Sequence, residues 1–117
     1  MYKLLKINET EYKIRLNLNA LSEFKTLNNG VGVLGLMADL HRGMFTFDID
    51  ETILLFYVGA KYGSDEYNKN LEETREMFEE IFDEEGFGFI DYISSQLLLL
   101  LTEGKKKEPQ VLVAKQN

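Results

Sequence analysis

Apolar and polar residues alternate near the start of the chain. Tyr12, Ile14, Leu16 and Leu18 are apolar, and a polar residue separates each of them from the next. A period of two is typical of a β-strand that buries one face. The preceding segment YKLLKI is a second apolar stretch, and the residues NETE between them favour a turn. The pattern predicts an antiparallel β-hairpin over residues 2–18.

The apolar spacing changes to a helical period after the hairpin. Leu21, Phe24 and Leu27 follow an asparagine that can cap a helix, and the residues NNG end the segment. Glycine-containing breaks divide the rest of the chain into further helical segments. The later predicted helices cover Val33 to His41, the segment TILLFYVGAKY behind Asp48 and Asp50, about Asn70 to Glu85, and about Phe89 to Thr102.

These elements predict an α+β fold that is mainly α, with an N-terminal antiparallel β-hairpin followed by four to five helices. A chain of 117 residues, 44% of them apolar, fits one globular domain with a modest core. We assign residues 1–102 to this domain, with the hairpin in 2–18 and the helices in 19–102. Residues 103–117 contain a lysine run and the only proline, and they have no apolar period. This composition predicts a flexible C-terminal tail.

The net charge of −7 is concentrated in one segment. Residues 65–85 carry ten acidic and two basic residues, so the remainder of the chain is close to neutral. On a helical wheel, six carboxylates occupy one arc and the apolar residues occupy the opposite side. The acidic residues are Glu72, Glu73, Glu76, Glu79, Glu80 and Asp83. This pattern predicts a solvated acidic face, and the lack of a basic stripe disfavours nucleic-acid binding.

Composition also limits the cellular setting of the protein. The chain has no cysteine, which excludes disulfides and thiolate sites and favours a reducing compartment. No stretch approaches the roughly 20 apolar residues of a membrane span, and the N-terminal segment lacks the apolar core of a secretory signal. We therefore expect a cytoplasmic protein that has no contact with membranes.

Asp48 and Asp50 resemble the nucleophile and the acid/base partner of an aspartate-dependent phosphotransferase. That chemistry needs a parallel sheet, magnesium and a phosphate-binding helix N-terminus around the aspartates. The upstream segment predicts an antiparallel hairpin, and everything downstream has a helical pattern. Asp48 and Glu51 instead have the spacing of a capping box, and acidic residues stabilise the first turn of a helix. We therefore predict a helix cap and no catalytic residues.

Two other patterns suggest chemistry but have simpler explanations. Gly30, Gly32 and Gly35 have the spacing of a dinucleotide-binding fingerprint, which requires a preceding strand. A predicted helix precedes them, so a helix stop followed by a connection explains the glycines. His41 is the only histidine, and no catalytic or metal-binding group can be assembled around it. We therefore predict no cofactor and no metal.

Five consecutive leucines near the end of the last predicted helix are harder to explain by folding alone. Such a run faces every side of a helix, whereas a surface helix needs one apolar stripe. Some of the leucines are expected in the core, and the others are expected to form a contact surface with part of the ILLFYVG helix. The predicted partner-binding residues are Leu97, Leu98, Leu99, Leu100, Leu101, Leu54, Tyr57 and Val58. The surface would bind a partner helix or a second copy of the chain.

The order of elements resembles the tail assembly chaperones of tailed phages and prophages of Gram-positive bacteria. The resemblance covers residues 2–102 and includes the segments YKIRLNLNAL and LLFYVGAKY. It implies a small cytoplasmic protein of the bacterial host, without catalytic residues. It also implies two partners, the tape-measure protein, which such chaperones hold, and the tail-tube protein, which they help to recruit.

The residues are compatible with such a role. A soluble protein with an apolar surface and an acidic exterior can cover the exposed helical stripes of a partner without ATP. An alternative function is that of a small acidic protein-binding regulator, or of a DNA-mimic inhibitor of phage or bacterial origin. That function would use the acidic helix to bind a basic protein in a salt-sensitive manner.

Overall fold

The structure, a computed structural model, describes residues 2–40 and 47–103. These residues form a β-hairpin followed by five helices, so the predicted α+β, mainly α fold class is confirmed. The elements are β1 (Tyr2–Ile7), β2 (Thr10–Arg15), α1 (Leu18–Leu27), α2 (Val33–Leu40), α3 (Ile49–Gly63), α4 (Leu71–Glu85) and α5 (Phe87–Glu103). Glu103, the first residue of the predicted tail, is the last residue of α5, and the predictions for His41 and for residues 104–117 lie outside the described residues.

The hairpin pairs β1 with β2 in antiparallel register, with Ile7 opposite Thr10. Its turn is shorter than predicted because Asn8 adopts a positive φ of 56°, which allows a two-residue loop. The strand also ends earlier than predicted. The side chain of Asn17 accepts a hydrogen bond from the amide of Ala20 and caps α1. Leu18 therefore belongs to α1 and not to the buried face of β2.

The two helices of 15 residues, α3 and α4, begin with the same arrangement. Asp48 and Asn70 are the N-caps, and each forms a capping box with the glutamate three residues later. Thr52 and Thr74 are buried one position further on, and each hydroxyl donates to the carbonyl of the cap residue at 2.9 Å. The corresponding sequences are DIDET and NLEET. Both first turns are therefore satisfied by local hydrogen bonds.

Helix α3 lies at the centre of the fold and packs against β2, α1, α4 and α5. Its position explains why nearly all of its middle residues are buried. They are Thr52, Ile53, Leu54, Leu55, Phe56, Val58, Gly59 and Ala60. The rings of Tyr12, Phe56 and Phe78 continue the core from the hairpin to α4 through edge-to-face contacts. The core therefore surrounds one helix rather than filling a space between layers.

Two glycines let the hairpin approach α3 closely. A methyl group at Gly59 would overlap the side chain of Ile14, and one at Gly63 would overlap the backbone carbonyl of Lys13. The flexible side chain of Ile14 can adjust, but a backbone carbonyl within the hairpin cannot. Gly63 therefore determines how closely β2 packs on the end of α3.

Helix α5 begins two residues before its predicted start. Gly86 ends α4 with a φ of 73°, and Phe87 is already the first residue of α5. Gly88 lies within the first turn of α5 and does not interrupt it. One glycine with a positive φ is therefore enough to separate the two helices.

Candidate protein-binding surfaces

The five-leucine run at the end of α5 is divided between the core and the surface. Leu97 and Leu100 are 1% and 5% exposed, whereas Leu99 is 39% exposed. Leu98 and Leu101 are half-buried and line two different clefts. Successive residues of a helix point about 100° apart, so five leucines face every side. The run therefore contributes to the core and to two surfaces at once.

The structure reduces the predicted partner-binding set. Leu54 and Val58 of α3 are buried, as are Leu97 and Leu100 of α5, and all four belong to the core. Their burial follows from the central position of α3, which has neighbours on most of its sides. A core side chain is not available to a partner while the domain is folded. The members that retain exposed area are Leu98, Leu99, Leu101 and Tyr57.

An apolar groove of about 750 Å³, here named the α1–α2 groove, lies between α1, α2 and their connection. Its apolar lining residues are Leu18, Leu21, Val31, Val33, Leu34 and Leu101. Leu18 is 83% exposed and Leu34 is 87% exposed. Among the described residues that line the groove, Lys25 is the only charged one. A nearly neutral groove with strongly exposed leucines has the properties of a protein interaction surface.

The groove exists because α1 ends abruptly. Asn29 and Gly30 have left-handed backbone conformations, with φ of 57° and 87°. The amide of Gly30 donates to the carbonyl of Lys25 at 2.8 Å, which closes the last turn. The chain then reverses, and α2 packs against α1. Val33 turns into the core, whereas Leu34 points to solvent.

A second apolar cleft, here named the α4–α5 channel, lies between the start of α3, α4 and α5. It consists of two cavities of about 250 and 500 Å³ that share Ile49 and Ile90. Phe82 lines the smaller cavity, and Phe87 and Leu98 line the larger one. Phe87 is 69% exposed, and its ring makes an edge-to-face contact with that of Phe82, at 5.1 Å between centroids. The channel thus has an apolar lining that includes an exposed aromatic residue.

Acidic side chains line the α4–α5 channel. Asp48 and Asp91 line the larger cavity, and Glu79 lines the smaller one. Arg75 also lines the smaller cavity, but its guanidinium donates to the carboxylate of Asp50 at 2.6 Å. This exposed ion pair neutralises both groups locally and contributes little stability. The lining therefore keeps an excess of negative charge.

Asp48 and Asp50 have structural partners. The carboxylate of Asp48 accepts from the amide of Glu51 at 2.8 Å, and the amide of Asp48 donates to the Glu51 carboxylate at 3.3 Å. The predicted capping box is thereby confirmed. The strands described are antiparallel, unlike the parallel sheet that an aspartate-dependent phosphotransferase requires. Within residues 2–40 and 47–103, no group of three or more ligand-type side chains is placed to hold a metal ion.

The glycines of the dinucleotide-like pattern follow α1 and not a strand. Gly30 closes the end of α1, Gly32 lies in the connection, and Gly35 is inside α2. The predicted helix stop followed by a connection is confirmed. These backbone positions line one side of the α1–α2 groove.

A polar contact ties α1, one wall of the groove, to α3. The carboxylate of Glu23 accepts from Lys61 at 2.8 and 3.0 Å and from the hydroxyl of Tyr62 at 2.8 Å. Burial favours the neutral carboxyl, but these donors outweigh burial and lower the pKa of Glu23. The hydrogen bond to Glu23 raises the pKa of Lys61 and that of Tyr62. The contact therefore stabilises the groove wall most when Glu23 is ionised.

The sequence interpretation did not assign Leu18, Leu34 or Phe87 to a binding surface. Leu18 was included in the strand pattern, and Phe87 stood between two glycines that predicted a break. A signal for Leu34 was available, because the start of α2, VLGLM, is apolar on all sides. A short helix of this kind cannot cover all its apolar side chains by packing on one neighbour.

Comparisons of the chain with models of protein families, with characterised proteins and with solved structures gave no match. In the part of the chain that the structure describes, no helix is long and apolar enough to cross a membrane.

Proposed function

We propose that this protein is a non-enzymatic tail assembly chaperone that binds the tape-measure protein and helps to recruit tail-tube subunits. The observation that carries the proposal is the α1–α2 groove, in which Leu18 and Leu34 are almost fully exposed. The resemblance to tail assembly chaperones suggests the identity of the partner. The groove offers that partner an apolar binding surface.

An amphipathic helix of the tape-measure protein suits the groove in shape and chemistry. Two helices form its walls, and a helix that binds between them would insert apolar residues at positions i, i+3, i+4 and i+7. Leu18, Leu34 and Leu101 come from three different helices, so they can contact such a stripe from three directions. Lys25 alone adds charge to the described lining. Binding would therefore depend on apolar area more than on charge.

The acidic exterior supports a holding role. A bound apolar helix would remain in solution because the chain carries a net charge of −7, much of it on the exposed side of α4. Holding by burial of apolar area needs no nucleotide. We place this activity in the cytoplasm of a bacterial host, where tail assembly takes place.

The test is co-expression with the tape-measure protein encoded in the neighbouring DNA, followed by affinity capture. Leu34→Ser should reduce capture at least about tenfold, because it removes one of the two most exposed apolar side chains of the groove. Its melting temperature should stay near that of the wild type, since the side chain is 87% exposed. Leu99→Ser is the matched control, because Leu99 is an exposed leucine that does not line the groove.

The outcomes separate the partner from the binding site. Failure of the wild type to capture the tape-measure protein would refute the proposed function. Capture by the wild type and equally by Leu34→Ser and Leu18→Ser would place the binding site elsewhere. Loss of capture in Leu99→Ser alone would move the site to the exposed side of α5.

The acidic regulator or DNA-mimic remains the second candidate function. The observation that favours it is that the six carboxylates of the acidic arc are all exposed on α4. They are Glu72, Glu73, Glu76, Glu79, Glu80 and Asp83. This function predicts capture of a basic protein that weakens with salt and with Glu→Gln changes on α4, and that is unaffected by Leu34→Ser.

A further inference from the structure

The α4–α5 channel differs from a simple apolar patch because its lining combines apolar and acidic side chains. Ile49, Phe87 and Leu98 provide apolar area, and Asp48 and Asp91 lie at the same cavity. Burying apolar area favours association with almost any apolar helix, whereas charges near it select among such helices. The acidic side chains therefore indicate which charge a partner of the channel would carry.

The length of the channel corresponds to a short helix. Its α5 side extends from Phe87 to Leu98, which spans about 17 Å, or about three helical turns, at 1.5 Å per residue. The smaller cavity continues beside α4 as far as Arg75. An extended strand would need unpaired backbone groups along the cleft, and the described strands pair with each other in the hairpin. A helix satisfies its own backbone and needs only side-chain contacts.

The charge at the channel is negative on more than one side. Asp50 neutralises Arg75, so Asp48, Glu79 and Asp91 remain without a basic residue among the described salt bridges. These three side chains come from the N-cap of α3, from α4 and from α5. Glu79 on α4 and Asp91 on α5 lie on different walls of the cleft, and carboxylates on different walls attract a helix that carries basic residues on both sides of its apolar stripe.

We propose that the α4–α5 channel binds an amphipathic helix of a second protein that has lysine or arginine residues on both flanks of its apolar stripe. The apolar stripe lies against Ile49, Phe87 and Leu98, and the basic flanks face Asp48, Glu79 and Asp91. This site is separate from the α1–α2 groove, and the proposal does not depend on the proposed function.

A second copy of the chain does not supply the complementary helix. None of the five helices in residues 2–40 and 47–103 contains more than one lysine or arginine. The chain also carries a net charge of −7, which opposes insertion of its helices into an acidic site. The described helices of a second copy therefore lack the basic flanks, and we assign the basic helix to a different protein.

The test uses two fluorescent 18-residue model helices and the full chain. Both have the same leucine stripe, and one has lysine and the other glutamate on both flanks. Fluorescence anisotropy at low salt should show binding of the lysine helix with a Kd at least about tenfold lower than that of the glutamate helix. The difference should shrink as salt is added, because the carboxylates are at the surface.

Two matched variants locate the binding site. Phe87→Ser should weaken binding of the lysine helix at least about fivefold, because it removes an exposed aromatic anchor. Leu34→Ser is the control, since it removes a similarly exposed side chain from the other cleft and should leave the Kd unchanged. The double change Glu79→Gln and Asp91→Asn should reduce the preference for lysine over glutamate while both helices retain their apolar contact.

Several results would overturn the proposal. Equal affinity for the two helices would show that charge does not select the partner. An equal effect of Leu34→Ser and Phe87→Ser would place binding outside the channel. A dimer that Phe87→Ser dissociates, observed by light scattering, would make a second copy the occupant. A monomer that binds neither helix would show that the channel has no such partner, whatever the result of tape-measure capture.

Discussion

The α1–α2 groove and the α4–α5 channel share α5 but differ in charge. Leu101 lines the groove and Leu98 lines the channel, and these two residues are less than one helical turn apart. Lys25 is the only charge on the described groove lining, whereas the channel lining contains Asp48, Glu79 and Asp91, none of which has a basic partner among the described salt bridges. For the two proposed complexes, we infer that apolar area provides the affinity at both clefts and that the surrounding charge distinguishes the partners.

The walls of the two clefts also differ in how they are held. The channel is bounded by α3 and α4, which have 15 residues each and begin with capping boxes. The groove is bounded by α2, which has eight residues and packs against α1. A short helix with few neighbours opens more easily than a capped helix in the core. We therefore expect the groove to adapt to its partner more than the channel does.

The largest effect on the free energy of unfolding is expected for the core residue Leu97, since both clefts depend on the folded domain. Leu97→Ala should lower the free energy of unfolding by about 2 to 5 kcal/mol, because the side chain is almost fully buried. Urea denaturation should show this loss, and both binding activities should fall with the folded fraction. Leu99→Ala should cost less than about 1 kcal/mol. Similar losses in the two variants would contradict the division of the leucine run.

A slightly smaller effect is expected where the hairpin packs on α3. Gly63→Ala should lower the free energy of unfolding by about 1 to 3 kcal/mol or more, because its methyl group would displace the backbone of Lys13. Gly88→Ala is the control, since a methyl group there meets no atom within 4 Å and alanine favours a helix by up to about 1 kcal/mol. Binding at the two clefts should be compared with the wild type at the same concentration of folded protein. If Gly63→Ala abolished binding at one cleft only, the two clefts would not both depend on the packing of the hairpin on α3.

A moderate effect is expected at the residue that is both a helix cap and part of the channel. Asp48→Ala should cost about 0.5 to 2 kcal/mol, whereas Asp48→Asn should cost little because asparagine also caps helices. Asp48→Asn nevertheless removes one negative charge from the channel. It should weaken binding of the lysine helix and leave tape-measure capture unchanged. Thermal unfolding and anisotropy measured on the same samples separate the two roles.

The smallest effect is expected at the contact between α1 and α3. The lowered pKa of Glu23 means that its ionised form stabilises the fold above the unfolded carboxyl value of about 4.3. This contribution is lost as the pH falls through the lower folded pKa. Wild type should therefore lose more stability than Glu23→Gln when the pH is reduced from about 5 to about 3. Parallel pH dependence of the two melting temperatures would exclude this role.

The elements that the sequence predicted correctly depend on neighbouring residues. The hairpin follows from alternation within one short segment, and the cap at Asp48 follows from a glutamate three residues later. Leu18 was misplaced because alternation continues through it, while the hydrogen bond from Ala20 to Asn17 starts a helix there. Local hydrogen bonding therefore outweighs the apolar pattern at this boundary.

The binding surfaces could not be predicted in the same way. Five identical leucines carry no information about which of them face the core, because that depends on where α3 and the other helices pack. The channel joins Ile49, Phe82 and Ile90, which are far apart in the chain. Its acidic residues Asp48, Glu79 and Asp91 likewise come from the N-cap of α3, from α4 and from α5. Such sites depend on how separate elements pack together, and the apolar pattern within one segment does not contain this packing.

The matching starts of α3 and α4 have a consequence for the order of folding. In DIDET and in NLEET, the hydrogen bonds of the first turn are closed by residues within the same five-residue segment. Because initiation is the costly step of helix formation, these helices can begin before the hairpin or α2 has docked. We expect substitutions where α3 meets α4 to slow folding, and substitutions in α2 mainly to speed unfolding. A refolding chain would then form the α3 and α4 walls of the channel before it completes the groove.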